Sequence, residues 1–337
     1  MPPPKADPVA LCARRLNELG DAPLLVVDVP GADEAERLTA GRVGPLHWFC
    51  THWPTFRALQ ERGHSASFGP WTEGQGAGAG LVFLSKARER TRMMLTMVAS
   101  ALPPGAPLWL VGARRAGIDS AAPDLDVVAE ALHGQSGRHA RLWMARVRPG
   151  VTACLDEFEE EWALQHGGQA LRIATFPGVF SHRRLDDGTA LLLDTVRSVD
   201  PPLLDVGCGA GVIGAWYGTR QGIPVHLVDA DALAVEAGRR TLTLNGIDGD
   251  VGAADVLPEK GDFRTLVSNP PFHHGVETDH RVTETLIDGA ARRLPPGGSL
   301  NLVCNRFLPV PRLLDVAFGA HEVLADDGRY RVYRALR

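Results

Sequence analysis

The sequence predicts an α/β protein of two tandem domains, each built around a doubly wound parallel sheet. Three observations lead to this prediction. The chain has 337 residues, which is longer than a single hydrophobic core usually grows. Short apolar strands alternate with helices in the second half, as in strand–helix–strand units. Part of that pattern recurs in the first half, which indicates a duplicated domain.

The second half contains the clearest elements. Ala232–Leu244 has apolar side chains on one face and is predicted to be a helix. Residues 321–337 alternate apolar and polar side chains around a turn near Asp326-Asp327-Gly328, which predicts a closing antiparallel hairpin. Four short apolar runs are predicted to be buried strands: Leu203–Val206, 225–228, Thr265–Ser268 and 300–303.

The first half repeats the segment around the last of these strands. Residues 102–115 and 294–307 are identical at eight of fourteen positions without a gap. Upstream of the repeated segment, residues 81–84 match residues 266–269 as a predicted strand. The interval between this strand and the repeated segment is seven residues shorter in the first half than in the second. The first half therefore carries the same strand, helix and turn in the same order.

The boundary between the two copies is expected within residues 150–170. The acidic run 156–161 is expected to open a helix with a solvated face, and residues 165–170 are expected to form a loop. We assign residues 1–150 to the first domain and residues 165–337 to the second domain.

Composition excludes several classes of protein. No run of apolar residues approaches the roughly 20 needed to span a bilayer, and the first residues contain no signal-peptide core. We therefore expect a cytoplasmic protein with no membrane partner. The five cysteines form no C-x-x-C pair and no zinc spacing, so we expect neither disulfides nor a metal.

The net charge of −5 is unusual for a protein that binds nucleic acid, but the charge is unevenly distributed. Residues 1–150 contain 17 Lys and Arg against 14 Asp and Glu, and the remainder contains 18 against 26. If the chain binds a nucleic acid, this distribution favours the first domain as the docking part. Its notable basic residues are Lys86, Arg88, Arg90, Arg92, Arg114 and Arg115.

A glycine-rich turn follows the first predicted strand of the second half. Gly207, Gly209 and Gly211 allow positive φ angles and a close approach of the backbone to a ligand. Gly209-x-Gly211-x-x-Gly214 also satisfies the dinucleotide fingerprint, so a nicotinamide-dependent oxidoreductase is an alternative from another class. Asp205, just before the glycines, would repel a pyrophosphate but suits the cationic methionine end of S-adenosyl-L-methionine.

Two further carboxylates follow the next strands. Asp229 ends the second strand and is expected to accept hydrogen bonds from a ribose diol. Asp255 follows the third strand and is expected to meet the adenine edge. The acid–glycine–acid arrangement predicts S-adenosyl-L-methionine as the cofactor.

A segment suited to methyl transfer follows the fourth strand, at the edge of the sheet where α/β proteins bind ligands. The exocyclic amine of a base is a poor nucleophile, because its lone pair is delocalised into the ring. The Asn269 side-chain oxygen and the Pro270 carbonyl can accept its two N–H groups, and they bind the cationic transition state better. Pro270 and Pro271 restrict the backbone, and Phe272 offers a stacking face for a flipped-out base.

These motifs resemble the bacterial ribosomal RNA small subunit methyltransferase C family. The resemblance covers most of the second half, including Phe176-Pro177-Gly178-Val179-Phe180-Ser181, the glycine turn, Asn269-Pro270-Pro271-Phe272-His273 and Phe307-Leu308-Pro309. It implies two tandem Rossmann-like class I methyltransferase domains. Residues 1–150 are then a degenerate, catalytically silent domain that supports the fold and docks RNA, and residues 165–337 are the catalytic domain. The resemblance also implies that Phe180 and the following helix close over the cofactor.

The resemblance implies methyl transfer to the exocyclic N2 of a guanine in 16S rRNA, within the 30S subunit. A guanine-N2 methyltransferase acting on 23S rRNA is the alternative, because it shares the Asn-Pro-Pro-Phe-His loop. Protein-glutamine and adenine-N6 methyltransferases usually carry Tyr in place of Phe272. The duplication lets a monomer mimic a dimer, so we expect a monomer.

Overall fold

A computed structural model describes residues 6–40, 42–180, 183–270 and 277–337. The chain divides into two units, Met1–Glu159 and Glu160–Arg337. Within the described ranges, none of the helices combines the length and the apolar character that crossing a membrane requires.

The first unit contains one mixed sheet. Its strands are β1 Leu24–Val27, β2 Leu46–Cys50, β3 Ala66–Phe68, β4 Ala79–Phe83, β5 Pro107–Ala113, β6 Ala129–Gly137 and β7 Ala140–Val147. Their order is β3-β2-β1-β4-β5-β7-β6. The first five are parallel, β7 runs antiparallel to β5, and β6 antiparallel to β7. The helices are α1 Pro8–Ala13, α2 Ala32–Thr39, α3 Trp53–Glu61, α4 Arg88–Ala101 and α5 Ala122–Val128.

The second unit repeats this sheet after a separate hairpin. Its strands are β8 Glu160–His166, β9 Gln169–Thr175, β10 Leu203–Val206, β11 Val225–Asp229, β12 Gly249–Ala253, β13 Thr265–Ser268, β14 Ser299–Asn305, β15 Glu322–Asp326 and β16 Tyr330–Leu336. The hairpin is β8–β9, and the sheet order is β12-β11-β10-β13-β14-β16-β15. The helices are α6 Asp187–Thr195, α7 Val212–Gln221, α8 Ala232–Leu244, α9 Glu277–Arg293 and α10 Val310–Phe318.

The registers of the two sheets coincide strand by strand, which confirms the predicted duplication. Leu24 lies opposite Leu46 on one side and Ala79 on the other. In the second sheet, Leu203 lies opposite Val225 and Thr265 in the same way. The predicted strands, the helix Ala232–Leu244 and the closing hairpin are all present.

The registers correct the alignment of one repeated strand by a single residue. Leu81 pairs with Trp109 as Val267 pairs with Asn301, so Leu81 corresponds to Val267 and not to Leu266. Phe83, instead of Leu84, therefore occupies the position of Asn269. Both strands are buried on both faces, so a shift by one residue still matches apolar side chains.

The predicted helix in the acidic run 156–161 is wrong, and so is the loop predicted at residues 165–170. A short 3-10 turn, Leu155–Phe158, leads into the β8–β9 hairpin. Glu161 of β8 binds Arg172 of β9 through a 2.5 Å ion pair, and the hairpin turns at Gly167 and Gly168, both with positive φ. The acidic residue Glu161 is therefore part of a strand, because it pairs with a basic residue of the neighbouring strand. The local sequence does not show this contact and instead suggests a helix.

Two central strands place the site. Every residue of β10 and β13 is buried, as expected for parallel strands covered on both faces. The carboxyl ends of parallel strands lie at the same edge of a sheet, so the segments after β10, β11 and β13 are neighbours. That edge carries the residues singled out by sequence.

Candidate active site

Side-chain hydrogen bonds join the three loops at this edge. The Ser268 hydroxyl, at the end of β13, donates to the Val206 carbonyl at the end of β10 over 2.7 Å. The Gly209 N–H donates to Asp229 Oδ2 at the end of β11 over 2.9 Å. The glycine turn is therefore tied to the acid on one side and to the segment that precedes Asn269 on the other.

Positive φ angles make the glycine turn possible. The φ angles are 68° at Gly207, 53° at Gly209 and 77° at Gly211. A Cβ at Gly211 would lie 3.0 Å from Gly238 Cα, so glycine lets α7 and α8 approach. A Cβ at Gly207 would meet no described atom within 4 Å, so the chain leaves room in front of this residue. That room fits a ligand that contacts the backbone.

Asp205 lies beneath the turn as a buried carboxylate with one unused oxygen. Its Oδ2 accepts the Gly214 N–H over 2.9 Å, whereas Oδ1 has no partner among the described residues. Burial raises the pKa of Asp205 to about 7; the Gly214 N–H lowers it and the nearby Asp229 raises it further. A buried carboxylate of this kind fits a ligand that brings a positive charge.

Asp229 is held by backbone donors and retains accepting capacity. Its Oδ1 accepts the Asp231 N–H over 2.9 Å, and its Oδ2 accepts the Gly209 N–H. Burial raises the pKa of Asp229 to about 6, and the charge of Asp231 adds to the effect. Each oxygen has a second lone pair, so the group fits a diol that donates two hydrogen bonds.

Two further predicted cofactor residues lie at the same edge. Asp255 is exposed and follows the end of β12 by two residues. Phe180 is 56% exposed, and its Cβ would lie 3.6 Å from a Cβ placed at Gly209. The Phe180 ring is therefore accessible beside the glycine turn.

The Asn269 side chain is half-buried and its amide has one orientation. The Nδ2 group donates to Asp186 Oδ2 and to Thr189 Oγ1, each over 2.9 Å. Both N–H groups of the amide are therefore used within the protein, and the amide oxygen is left to accept a hydrogen bond from a ligand. Pro270 is buried. Pro271 and Phe272 lie outside the described residues, as do His273 and His274.

Sequence reasoning missed the two partners of Asn269. Asp186 is the N-cap of α6, since its Oδ2 accepts the Thr189 N–H over 3.0 Å. An Asp before an apolar helix is a recognisable start signal. That signal predicts the helix, but it does not predict contact with a residue 83 positions further along the chain.

The equivalent edge of the first unit has the same backbone turn without its glycine. Asp28 occupies the position of Gly207, with a φ of 53°. Its N–H donates to the Phe49 carbonyl over 2.9 Å, just as the Gly207 N–H donates to Val228 over 2.9 Å. The first unit thus keeps the backbone turn. The Asp28 side chain starts at the position where the second unit has open space in front of Gly207.

That side chain is bound by neighbouring residues of the first unit. The Thr51 N–H donates to Asp28 Oδ1 over 2.8 Å, and the Arg90 guanidinium donates to the Thr51 hydroxyl over 2.7 Å. Cys50 is the register equivalent of Asp229, so no carboxylate is present there for a ribose. The first domain is therefore degenerate at both cofactor positions.

The basic residues of the first unit differ in their contacts. Arg88 and Arg92 both bind Asp124, which is 1% exposed, over 2.7 and 2.9 Å. Arg114 binds Asp119 over 2.9 Å. Lys86 and Arg115 are exposed and have no ion-pair partner among the described residues.

Fold and site together define a Rossmann-like class I methyltransferase. The second domain combines this sheet order with the glycine turn between two acids and with Asn269 directly after β13. The first domain has the same sheet without those residues. S-adenosyl-L-methionine is the methyl donor of this class, and the residues of the edge fit its ammonium and ribose groups.

Comparisons with known proteins identify the family. The chain is 36% identical to the ribosomal RNA small subunit methyltransferase C of Pseudomonas aeruginosa (strain UCBPP-PA14), over 98% of this chain and 99% of that protein. It is 40% identical to the enzyme of the same name from Salmonella typhimurium, over 76% and 75%. The chain belongs to the ribosomal RNA small subunit methyltransferase C family.

Domain families match both halves of the chain, and a solved structure shares its fold. The Methyltransferase small domain matches residues 170–334, and the Methyltransferase small domain N-terminal matches residues 10–161. The fold is similar to that of the T. thermophilus 16S rRNA N2 G1207 methyltransferase in complex with AdoMet and guanosine. The two are 24% identical, with a TM-score of 0.86 over 99% of this chain and 93% of that one.

Membership confirms the predicted family, the predicted fold and the predicted methyltransferase activity. It decides against the nicotinamide-dependent oxidoreductase that the glycine spacing alone allows. The assignments of individual site residues stay predictions.

Proposed function

We propose that the protein transfers a methyl group from S-adenosyl-L-methionine to the exocyclic N2 of a guanine in 16S rRNA. The observation that carries the proposal is the Asn269 amide, whose two N–H groups are both bound within the protein. Its oxygen is then an acceptor beside the glycine turn, which suits an amine with N–H groups to donate. The names of the curated relatives support RNA of the small ribosomal subunit as the substrate.

Four residues are proposed to hold the methyl donor. When bound, S-adenosyl-L-methionine supplies an electrophilic methyl group whose C–S bond breaks as the new N–C bond forms. The unused oxygen of Asp205 accepts the ammonium group. Asp229 accepts the ribose hydroxyls, Asp255 meets the adenine edge, and Phe180 covers the ligand beside the glycine turn.

Asn269 and Pro270 are proposed to act on the substrate amine. The Asn269 oxygen and the Pro270 carbonyl each accept one N–H, which orients the nitrogen lone pair toward the methyl group. The nitrogen becomes tetrahedral and cationic as it is methylated, so both acceptors bind it more strongly in the transition state. The extra proton then leaves to water. Pro271 and Phe272 lie outside the described residues; from the sequence, Pro271 is proposed to restrict the backbone and Phe272 to stack on the flipped-out guanine.

The decisive experiment is methyl transfer from labelled S-adenosyl-L-methionine to unmethylated 30S subunits, 50S subunits and free rRNA. The modified nucleoside is identified by mass analysis. N2-methylguanosine in small-subunit RNA is the expected product. The same nucleoside in large-subunit RNA would support the 23S alternative. No transfer to any of the three, with S-adenosylhomocysteine still bound, would overturn the proposed substrate.

The first domain is proposed to dock the RNA through Lys86 and Arg115. The two residues are exposed and follow the carboxyl ends of the adjacent strands β4 and β5. Phosphate contacts need cations that are not already paired, and Arg88 and Arg92 are bound to Asp124.

Salt dependence tests this surface. Lys86→Gln with Arg115→Gln should lower the slope of log affinity against log salt by about 2, without changing affinity for S-adenosylhomocysteine. Arg146→Gln is the matched control, because Arg146 pairs with the first residue of β5, at the opposite edge of the sheet. An unchanged slope in the double variant would exclude this surface from RNA docking.

We also infer that the protein acts in the cytoplasm, as a monomer, on the small subunit. Family membership supports a ribosomal substrate, and the duplicated sheet supports a chain that needs no second copy. Sedimentation of the purified protein at micromolar concentration should give the mass of one chain, 36.2 kDa. A dimer would overturn this part.

A further inference from the structure

We propose that Asp186 and Thr189 are positioning residues that keep Asn269 a hydrogen-bond acceptor, and that the Asp186 carboxylate strengthens that acceptor. The inference rests on the proposed function, because it concerns the residue assigned to the substrate amine. Neither residue is assigned a role by the sequence motifs.

The orientation of an asparagine amide needs a cause, because its oxygen and nitrogen exchange places when the group turns over. A turned amide would present N–H groups to the N–H groups of the substrate, and no hydrogen bond would form. Thr189 cannot prevent this, because a hydroxyl both donates and accepts. An ionised carboxylate only accepts, so Asp186 admits the nitrogen of Asn269 and repels its oxygen.

Asp186 is itself held in place. Its Oδ2 accepts the Thr189 N–H at the start of α6 over 3.0 Å, and a helix N-terminus stabilises negative charge. Thr189 is 4% exposed. The next residue, Asp187, binds Arg329 over 3.1 Å, which ties this turn of α6 to the residue before β16. The start of α6 thus holds the Asp186 carboxylate in a position that faces the Asn269 amide.

The carboxylate also changes the strength of the acceptor. A hydrogen bond from an amide N–H to an anion is charge-assisted, and it shifts electron density through the amide toward its oxygen. The more negative oxygen binds the amine most strongly when that amine becomes cationic. Asp186 should therefore raise kcat more than it lowers KM.

Four variants separate these roles from simple folding. Asp186→Ser keeps an N-cap but is too short to reach Asn269, and we expect kcat to fall by roughly 100-fold. Asp186→Asn keeps an accepting oxygen without the charge, and its loss should be roughly 10-fold. Thr189→Val removes one acceptor at nearly constant shape and should also cost about 10-fold. Thr189→Ser keeps the hydroxyl and should stay close to wild type.

A double variant that exchanges the two side chains tests the hydrogen bond itself. A purely structural role of Asp186 does not predict that this exchange restores kcat. In Asn269→Asp, two carboxylates face each other where the hydrogen bond now spans 2.9 Å, and activity should be lost. Adding Asp186→Asn restores a donor and an acceptor with their direction reversed. An accepting oxygen still faces the substrate, so kcat should recover at least 10-fold over the single variant.

The outcomes separate this inference from the proposed function. Full turnover in Asn269→Ala would overturn the function assigned to Asn269, whatever the other variants do. A dead Asn269→Ala with wild-type kcat in Asp186→Ser and Thr189→Val would overturn only the positioning role. If Asp186→Ser loses kcat, S-adenosylhomocysteine affinity and Tm together, Asp186 has only a structural role and the inference is overturned. Absence of recovery in the exchange variant also counts against the inference.

Discussion

Replacing Asp205 by Asn should stabilise the protein without cofactor and abolish tight cofactor binding. Asp205 is fully buried, and one of its oxygens has no partner among the described residues. Burial raises its pKa from 3.8 to about 7. A shift of about 3 units corresponds to about 4 kcal/mol between the two protonation states. The charged form is therefore costly until a cation is bound.

The sign of the pH dependence follows from the two states. Between about pH 4 and pH 7, unfolded Asp205 has lost its proton, whereas folded Asp205 keeps it. Stability then falls as pH rises, by up to about 1.4 kcal/mol per pH unit, and the penalty is complete above pH 7. Asp205→Asn removes this titration. The free energy of unfolding of Asp205→Asn should equal that of the wild type near pH 4 and should exceed it by a few kcal/mol at pH 7.5.

Urea unfolding of both proteins at several pH values measures this difference, since contributions shared by the two proteins cancel. Asp248→Asn, at an exposed carboxylate of the same domain, is the matched control and should show no such trend. Calorimetry with S-adenosylhomocysteine completes the test, and affinity in Asp205→Asn should fall about 100-fold. A difference in stability that does not vary with pH, or unchanged affinity, would refute the reasoning.

Three further predictions concern catalysis and packing. Asn269→Ala should bind S-adenosylhomocysteine normally but lower kcat by 10²- to 10³-fold, measured by single-turnover methyl transfer; normal turnover would contradict its role. Arg88→Gln with Arg92→Gln removes the two cations that bind buried Asp124, so Tm should fall by roughly 5 °C or more, whereas Lys86→Gln with Arg115→Gln should leave Tm unchanged. Gly211→Ala should destabilise by roughly 2–4 kcal/mol, because φ is 77° and Gly238 is 3.0 Å away. Gly222→Ala, with a φ of 63° and open space, should cost only about 1–2 kcal/mol.

Short-range sequence patterns predicted most of the strands and helices of the second domain. Leu203–Val206 and Thr265–Ser268 are wholly buried strands bounded by turn residues, and Ala232–Leu244 follows the N-cap Asp231. Such boundaries are visible in a single sequence. The hairpin β8–β9 was not predictable in this way, because Glu161 is stabilised in a strand by Arg172 of the partner strand.

The sequence indicates which candidate site residues lie together where those residues follow strands, and does not indicate it where they follow no strand. Asp205, Asp229 and Asn269 each lie at the carboxyl end of a strand, so parallel topology alone brings them to one edge. Asp186 reaches Asn269 from the start of a helix. That contact depends on how α6 packs, which no local pattern contains.

The turn after β1 has a consequence for comparing family members. Asp28 keeps the left-handed backbone and the hydrogen bond to Phe49 that Gly207 keeps to Val228. The route of the chain therefore requires the unusual φ, and a residue with a side chain can supply it. Glycine at this position supplies the left-handed φ without strain and also leaves the space in front of it. In a relative, an Asp or Asn at this position would keep the turn and fill the space in front of it, so it would indicate a domain that has lost the ligand and kept the fold.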